Sequence, residues 1–303
     1  MKVFMTGGTG FVGAYLSREL VQAGHTITIL SRRAQPPAPA GISFLTGNPT
    51  QKGPWMAAVP EHDWIINLAG ATIFTRWTEA RKKEIMESRV RTTRNLVAAL
   101  AAGDRRQLFC STSAVGYYGP RGDEELTEDS PPDGGFLGEL TRNWEAEALK
   151  AQDLEIRVVI TRFGIVLGRD GGALGQMVPL FKKFLGGRIG SGAQWFSWIH
   201  QADHARAFRF IQENPHISGP VNLTAPYPVR NRDLTRALGR TLHRPSFMRA
   251  PEFMLRLILG EFADTLLTGQ LVLPKRLVDA GFKFEFPTID AALADLFGQE
   301  AKK

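Results

Sequence analysis

The first two-thirds of the chain alternates short apolar runs with longer segments in which apolar residues recur every three or four positions. Short apolar runs are typical of buried strands, and the longer spacing is typical of amphipathic helices. The predicted strands span residues 2–6, 26–30, 42–45, 64–69, 108–111 and 155–162. The predicted helices between them span residues 12–23, 79–102 and about 137–151. This alternation predicts an α/β fold, a Rossmann-type doubly wound parallel sheet with helices on both faces.

The pattern changes after Gly168, because glycines cluster between residues 171 and 192. Beyond them the chain mixes short segments with predicted helices at about 202–212, 231–242 and 252–259. We therefore predict a first domain over residues 1–168 and a smaller, mixed C-terminal region over residues 169–303. A later segment, at about 195–225, is predicted to return to the first domain.

A glycine-rich turn follows the first predicted strand and opens the first predicted helix. Gly7 permits the tight turn, Gly10 lets the backbone approach a pyrophosphate, and Gly13 lets the helix pack close to the sheet. The pyrophosphate is then held at the helix N-terminus, where free N–H groups favour negative charge. We therefore predict that residues 1–168 bind a dinucleotide and that residues 169–303 mainly bind substrate. The predicted cofactor contacts in the turn are Thr6, Gly7, Gly10, Phe11, Val12 and Gly13.

The end of the second predicted strand indicates which dinucleotide is bound. NAD-specific sites usually carry an acidic residue here, whereas this chain has Ser31, Arg32 and Arg33. A hydroxyl and a guanidinium suit a ribose 2′-phosphate, which arginine binds with forked geometry. We predict NADP as the cofactor, with Ser31 and Arg32 at its 2′-phosphate. The alternative is that the arginines are only exposed loop residues.

Composition narrows the functional classes. The 303 residues carry a net charge of +7, which favours an anionic cofactor and substrate. The densest basic segment, 81–94, is interrupted by glutamates and lacks a nucleic-acid motif, so no nucleic-acid partner is predicted. No apolar run approaches the roughly 18 residues that span a bilayer, no signal peptide is visible and no metal-ligand spacing occurs. The single cysteine, Cys110, fits a reducing compartment. We expect a cytoplasmic protein with no membrane partner and no metal.

Several segments resemble extended short-chain dehydrogenases/reductases, the superfamily of NAD(P)-dependent sugar epimerases and dehydratases. They are the turn 6–13, Asn-Leu-Ala-Gly at 67–70 and Ser-Thr-Ser-Ala-Val-Gly-Tyr-Tyr-Gly at 111–119. A second set is similar to an atypical branch, nucleoside-diphosphate-sugar epimerase-like, with a C-terminal domain of unknown function. That set comprises residues 76–78, 88–93, 194–200, 220–226 and 273–282. The resemblance covers nearly the whole chain and adds Leu68, Ala69 and Gly70 to the predicted cofactor contacts.

The resemblance implies a catalytic serine and a Tyr-x-x-x-Lys pair at the start of the next helix. Ser113 matches the serine, but the pair is missing. Its places are taken by Phe136 and Leu140 in one register, and by Leu137 and Thr141 in the other. Phenylalanine has no proton to give, and leucine has no charge to lower the pKa of a tyrosine. The family's usual proton transfer is therefore not expected here.

Two tyrosines, Tyr117 and Tyr118, follow the fifth predicted strand on its C-terminal side, where open α/β sheets bind ligands. Either can reach a substrate from there. We take Ser113, Tyr117 and Tyr118 as the candidate catalytic residues. The alternative is that the tyrosines pack or cap a loop.

Three residues are candidate substrate contacts. Strand alternation places Trp198 and His200 on one face of the run 195–200, and one face of this run is expected to line a pocket. Arg76 suits an anionic substrate. The alternatives are a structural role for His200 and a surface position for Arg76. Asp203 is expected to be a helix N-cap, and the acidic loop 124–129 is expected to be solvated.

Two functional hypotheses follow. The first is an NADP-dependent oxidoreductase or epimerase acting on a small polar, nucleotide-sugar-like molecule, with the cofactor performing the hydride chemistry. The second is an NADP-binding sensor or interaction protein with weak or no turnover, which the missing Tyr and Lys favour. Dimers are common among soluble proteins, so a homodimer is one assembly to consider, but the sequence shows no self-complementary patch and gives no firm oligomeric state.

Overall fold

The computed structural model describes residues 1–101 and 107–298. Its strands are β1 (Lys2–Thr6), β2 (Thr26–Ser31), β3 (Ile42–Thr46), β4 (Trp64–Asn67), β5 (Leu108–Ala114), β6 (Glu125–Leu126), β7 (Arg157–Phe163), β8 (Ile165–Leu167), β9 (Gly187–Ile189), β10 (Trp195–Phe196), β11 (Trp198–His200), β12 (Gly219–Leu223), β13 (Val229–Arg230), β14 (Met248–Ala250) and β15 (Leu271–Val272). Its α-helices are α1 (Phe11–Gln22), α2 (Glu79–Leu100), α3 (Phe136–Leu149), α4 (Gly172–Lys182), α5 (Gln201–Glu213), α6 (Asn231–Leu242), α7 (Glu252–Leu259), α8 (Phe262–Leu267), α9 (Lys275–Asp279) and α10 (Ile289–Phe297). Short 3₁₀ helices span Pro54–Glu61, Val115–Tyr117 and Lys150–Leu154.

Within the described residues, the central sheet has seven strands in the order β12-β7-β5-β4-β1-β2-β3. Every neighbouring pair in it is parallel. Apolar side chains of α1 and α5, including Leu16 and Phe208, cover one face of the sheet. Side chains of α2 and α3, including Leu96 and Ala148, cover the other. The predicted doubly wound parallel sheet is therefore confirmed.

The order of the strands locates the ligand crevice. The chain runs outward from β1 through β2 to β3 and then crosses back to β4, on the other side of β1, so the strand order reverses at β1. In open α/β sheets, ligands bind outside the carboxyl ends of the strands at such a switch point. The glycine turn after β1 and the loop after β4 both lie at this edge.

The smaller part of the fold surrounds a second core formed by α4, α6 and α10. Its short strands form two-stranded pairs, and the chain also returns to the central sheet at β12, its edge strand beside β7. The division of the chain at residue 168 stays a prediction. None of the helices in the described part of the chain is both long and apolar enough to cross a bilayer.

The six predicted strands are present, with ends shifted by up to three residues. The predicted helix 79–102 is described as Glu79–Leu100, and its predicted last residue lies outside the described residues. The helix α4 was missed, because the glycines at its start were interpreted as breaks. Its core residues Leu174, Val178 and Phe181 nevertheless recur at helical spacing, which was the available signal.

Candidate functional site

The glycines of the turn are required by close packing. Gly7 has a φ of +71°, and a Cβ there would lie 2.7 Å from the carbonyl carbon of Leu68. A Cβ at Gly13 would overlap the carbonyl oxygen of Gly7. Gly10 is the N-cap of α1, and among the described residues no side chain bonds to this helix start. The first N–H groups of α1 therefore face the crevice, an arrangement that binds anions.

Hydrogen bonds tie the loop after β4 to the turn. The Thr6 hydroxyl donates to Oδ1 of Asn67 at 2.7 Å and accepts from the N–H of Ala69 at 3.3 Å. The side-chain amide of Asn67 in turn donates to the hydroxyl of Thr93 at 2.9 Å. Asn67 and Thr93 were not predicted as site residues. They position Leu68, Ala69 and Gly70 opposite the glycine turn.

Ser31 organises the arginine loop at the end of β2. Its buried hydroxyl donates to the carbonyl of Arg33 at 2.8 Å and accepts from Nε2 of Gln35 at 3.0 Å. Arg32 and Arg33 are exposed. Two exposed guanidinium groups thus lie at the carboxyl end of the strand next to β1, where the second ribose of a dinucleotide is bound in this fold.

The glycines after β8 pack on the start of α1, a contact that sequence reasoning missed. Cβ atoms at Gly168, Gly171 and Gly172 would lie 2.8, 2.6 and 2.9 Å from ring atoms of Phe11. Phe11 and Val12 also pack partly against the core. These side chains therefore fix the helix start, and only their backbone is placed for phosphate binding.

Arg89 on α2 supports the loop after β4. A Cβ at Gly70 would lie 2.7 Å from the guanidinium carbon, and Nη1 donates to the carbonyls of Ala71 at 3.0 Å and Ile85 at 3.2 Å. Burial, and then the charge of Arg81, lower the pKa of Arg89 to about 10. This arginine belongs to the predicted motif 88–93, although it was not selected as a site residue.

Ser113 takes part in a buried charged network. Its hydroxyl donates to Oε1 of Glu145 at 2.6 Å. Arg162 donates to both oxygens of that carboxylate, at 2.9 Å from Nε and 2.8 Å from Nη2. Burial alone would lower the pKa of Arg162, but its hydrogen bonds and charge interaction with Glu145 outweigh burial and raise it. Glu145 and Arg162 were not predicted. Strand β7 and helix α3 bring them together from positions 17 residues apart.

The two candidate tyrosines occupy different environments. Tyr118 is fully buried, and its hydroxyl donates to Oδ1 of Asn222 at 2.7 Å and accepts from Nη1 of Arg162 at 2.9 Å. Burial raises the pKa of Tyr118 to about 12. The structure thus places Tyr118 in the interior, where it packs and hydrogen-bonds, and its catalytic role stays a prediction. Tyr117 is partly exposed, and the centre of its ring lies 3.5 Å from the guanidinium carbon of Arg162.

The side chains at the positions of the missing Tyr and Lys are apolar, and they pack against other apolar side chains. The ring of Phe136 lies 5.0 Å from that of Trp77, and Leu140 is almost fully buried in the same cluster with Phe262. None of these side chains can transfer a proton. The start of α3 therefore provides an apolar surface at this position and no proton donor.

The structure places two of the predicted substrate contacts in the interior. Trp198 is fully buried in the core of the smaller part, and His200 is 1% exposed. His200 caps α5 by accepting from the N–H of Ala202, and burial lowers its pKa. β10 and β11 belong to separate sheets, so a single alternating strand was the wrong expectation. Arg76 is exposed and donates to the carbonyl of Leu257 at 2.8 Å.

The surroundings of two acidic residues differ from those expected from the sequence. Asp203 is not the N-cap of α5 but lies in its first turn, buried, and accepts from the N–H groups of Glu285 and Phe286 at 2.8 Å each. Glu128 is buried rather than solvated and accepts from the N–H of Asn222 at 3.0 Å. Burial raises the pKa of Glu128. Both carboxylates hold loops in place.

Residues 3–223 match the NAD dependent epimerase/dehydratase family, and residues 250–296 match a domain of unknown function, DUF1731. The chain is 41% identical over 303 residues to the chloroplastic epimerase family protein SDR39U1 homolog of Arabidopsis thaliana, covering 97% of this chain and 86% of the relative. It is 39% identical over 298 residues to epimerase family protein YfhF of Bacillus subtilis (strain 168), covering 98% of each.

A solved structure is similar over the same length. It is the crystal structure of human epimerase family protein SDR39U1 (isoform 2) with NADPH. That chain is 34% identical, the similarity covers 98% of this chain and 99% of that one, and the TM-score is 0.87.

Proposed function

The chain belongs to the NAD dependent epimerase/dehydratase family, and from that premise we propose that it is an NADP-binding atypical short-chain dehydrogenase/reductase. The observation that carries this proposal is the turn Gly7–Gly13, in which Gly7 and Gly13 have no room for side chains and the start of α1 is left open to a phosphate. When bound, the cofactor supplies or accepts a hydride. The similar human protein was crystallised with NADPH, which supports the choice of cofactor.

We assign the 2′-phosphate to the exposed arginines after β2. Ser31 uses its hydroxyl to hold this loop, so the exposed guanidinium groups of Arg32 and Arg33 are the ones that can meet a phosphate, and Arg32 is the predicted contact. A charge-assisted bond to phosphate is worth about 1.5–3 kcal/mol. The Arg32→Ala variant is therefore expected to bind NADPH about tenfold to hundredfold more weakly, with NADH binding unchanged.

Fluorescence titration with NADPH and NADH tests this assignment, with Arg236→Ala as a control that also removes an exposed arginine, from α6. NADH binding as tight as NADPH binding in the unaltered protein would contradict NADP specificity. Equal NADPH affinity for the Arg32→Ala and Arg236→Ala variants would contradict the role of Arg32.

We further propose turnover of a small polar, nucleotide-sugar-like substrate, with Tyr117 moving the proton. Tyr117 is the partly exposed member of the tyrosine pair, and the guanidinium group of Arg162 stacks on its ring. Ser113 is almost fully buried and donates to Glu145, so it orients this network from the strand side. Proton transfer by a positioned side chain contributes typically 10²–10⁴-fold to rate.

The test is NADPH oxidation across a panel of carbonyl compounds and nucleotide sugars. We expect Tyr117→Phe to reduce kcat by at least about a hundredfold with little change in NADPH binding. Turnover unaffected by Tyr117→Phe would remove Tyr117 from the reaction.

The second candidate function is an NADP-binding sensor or interaction protein. The apolar side chains of Phe136 and Leu140 favour it, because they remove the family's usual proton donor and its cation. NADPH binding with no oxidation across the whole panel would select this function over the first.

A further inference from the structure

Helix α7 carries its apolar residues on the outside of the molecule. Each of its residues is at least partly exposed, and Phe253 and Leu257 are both 71% exposed. A surface helix of a globular protein ordinarily buries an apolar stripe against the core. Large exposed apolar patches mark surfaces that bind a partner.

This surface extends into two neighbouring segments. β14 precedes α7 directly and pairs with β9, with Met248 opposite Gly187. The end of α4 and the residues that follow it, 180–186, lead into β9. We call the exposed apolar side chains of residues 180–186, of residues 247–250 and of α7 the apolar ridge. They are Leu180, Phe184, Leu185, Phe247, Met248, Phe253, Met254, Leu257 and Ile258.

One member of the apolar ridge is held in an unfavourable backbone conformation. Phe184 has a φ of +63°, a left-handed conformation that bulky residues rarely adopt, and yet its side chain is 57% exposed. This conformation ends α4, because the N–H of Leu185 donates to the carbonyl of Leu180 at 2.9 Å and the N–H of Phe184 donates to the carbonyl of Phe181 at 2.9 Å. Packing in the core does not account for this ring.

The charges around the apolar ridge are mostly positive. Residues 177–190 and 243–258 contain six lysines or arginines and one acidic residue, Glu252, and one of the cations, Arg256, is paired with Glu252 and with Asp264 of α8. The basic residues are Lys182, Lys183, Arg188, Arg244, Arg249 and Arg256. In a two-fold dimer the same patch faces itself, so a second copy on this surface would bring like charges together. An anionic partner fits better.

We propose that the apolar ridge docks on the surface of an anionic lipid membrane, a partner that the sequence analysis did not predict. Aromatic and aliphatic side chains flanked by Lys and Arg are typical of helices that lie in the membrane interface. The ridge side chains enter the boundary between headgroups and acyl chains, and the surrounding cations meet anionic headgroups. The protein thus rests on the membrane through α7, β14 and the end of α4.

Vesicle co-sedimentation of the full chain tests this proposal. We expect the protein to sediment with vesicles of equal parts phosphatidylcholine and phosphatidylglycerol, and much less with phosphatidylcholine alone. Raising NaCl from about 0.1 M to about 0.5 M should weaken binding, because the electrostatic part is screened. Failure to sediment with the anionic vesicles at low salt would overturn the proposal.

Two double variants separate the contributions of apolar and charged side chains to vesicle binding. Phe253→Ser with Leu257→Ser is expected to weaken vesicle binding by at least about tenfold. Lys183→Glu with Arg249→Glu is expected to abolish the preference for anionic vesicles. The control is Val278→Ser, which removes a 51% exposed apolar side chain outside the ridge and should bind vesicles normally.

NADPH titration and thermal melting of every variant show that the fold and the cofactor site are intact. Vesicle binding by both double variants at the level of the unaltered protein would contradict the proposal. So would a concentration-dependent dimer, seen by light scattering, that dissociates in the Phe253→Ser, Leu257→Ser variant, because a second copy would then cover the ridge.

Discussion

The buried pair of Glu145 and Arg162 offers a direct test of how the site is held together. Their side chains are 9% and 3% exposed, and the guanidinium contacts both carboxylate oxygens. The Glu145→Gln substitution keeps the shape but removes the charge, so the buried cation loses its counter-charge. Breaking a buried pair from one side costs about 3–5 kcal/mol.

We expect a cost near the lower end, about 3 kcal/mol, because the glutamine oxygen still accepts one hydrogen bond. In proteins of this size about 1 kcal/mol shifts Tm by about 2 °C, so Tm should fall by about 6 °C. The control is Glu147→Gln, two residues further along α3. The Glu147 side chain is 11% exposed, but its partners Arg94 and Lys150 are 60% and 59% exposed, so water replaces the lost interaction. That variant should lose less than about 1 kcal/mol.

Urea unfolding followed by circular dichroism, together with thermal melting, measures both variants. Replacing both partners with apolar residues, as Glu145→Leu with Arg162→Met, should recover part of the loss, since no charge then remains buried. Equal stability of the Glu145→Gln and Glu147→Gln variants would refute the reasoning, because it would mean that the buried pair is no stronger than an exposed one.

Two further outcomes follow from the structure. Burial lowers the pKa of His204 to about 3, so at about pH 5 the unfolded chain binds a proton at this histidine and the native protein does not. Stability should therefore fall as pH drops below about 6.5, by about 2 kcal/mol between pH 7 and pH 5. In urea unfolding, the stability of the His204→Leu variant should not show this fall with pH. The same pH dependence in the variant and the unaltered protein would argue against the role of His204. Gly13→Ala should weaken NADPH binding by at least about tenfold, because its Cβ overlaps the Gly7 backbone. Gly175→Ala, in open space within α4, should bind normally and gain about 0.5–1 kcal/mol. Equal NADPH affinity in these two glycine variants would show that the turn tolerates a side chain.

Local pattern was sufficient for much of the fold. The apolar runs and helical spacing of the first two-thirds of the chain predict the strands and helices of the central sheet, since each repeats over several residues. The family resemblance predicted from the turn and the motifs is confirmed. The departure at Phe136 and Leu140 was also visible in sequence alone, because it depends only on which residue types occupy fixed positions. The glycine-rich segment before α4 shows the limit of local rules, since glycine was interpreted as a break where the glycines instead make room for Phe11.

The sequence by itself determined the alternating α/β order, the glycine turn and the absence of a Tyr-Lys pair, because these depend on neighbouring residues. Only the tertiary structure decided which polar side chains meet. Tyr117 and Tyr118 are adjacent in sequence, yet one is partly exposed and the other is bonded to Asn222, 104 residues away. Ser113, Glu145 and Arg162 come from β5, α3 and β7, and the exposed α7 has the apolar composition of a buried helix. Burial and long-range contact depend on how the elements pack against one another, and no local pattern records that packing.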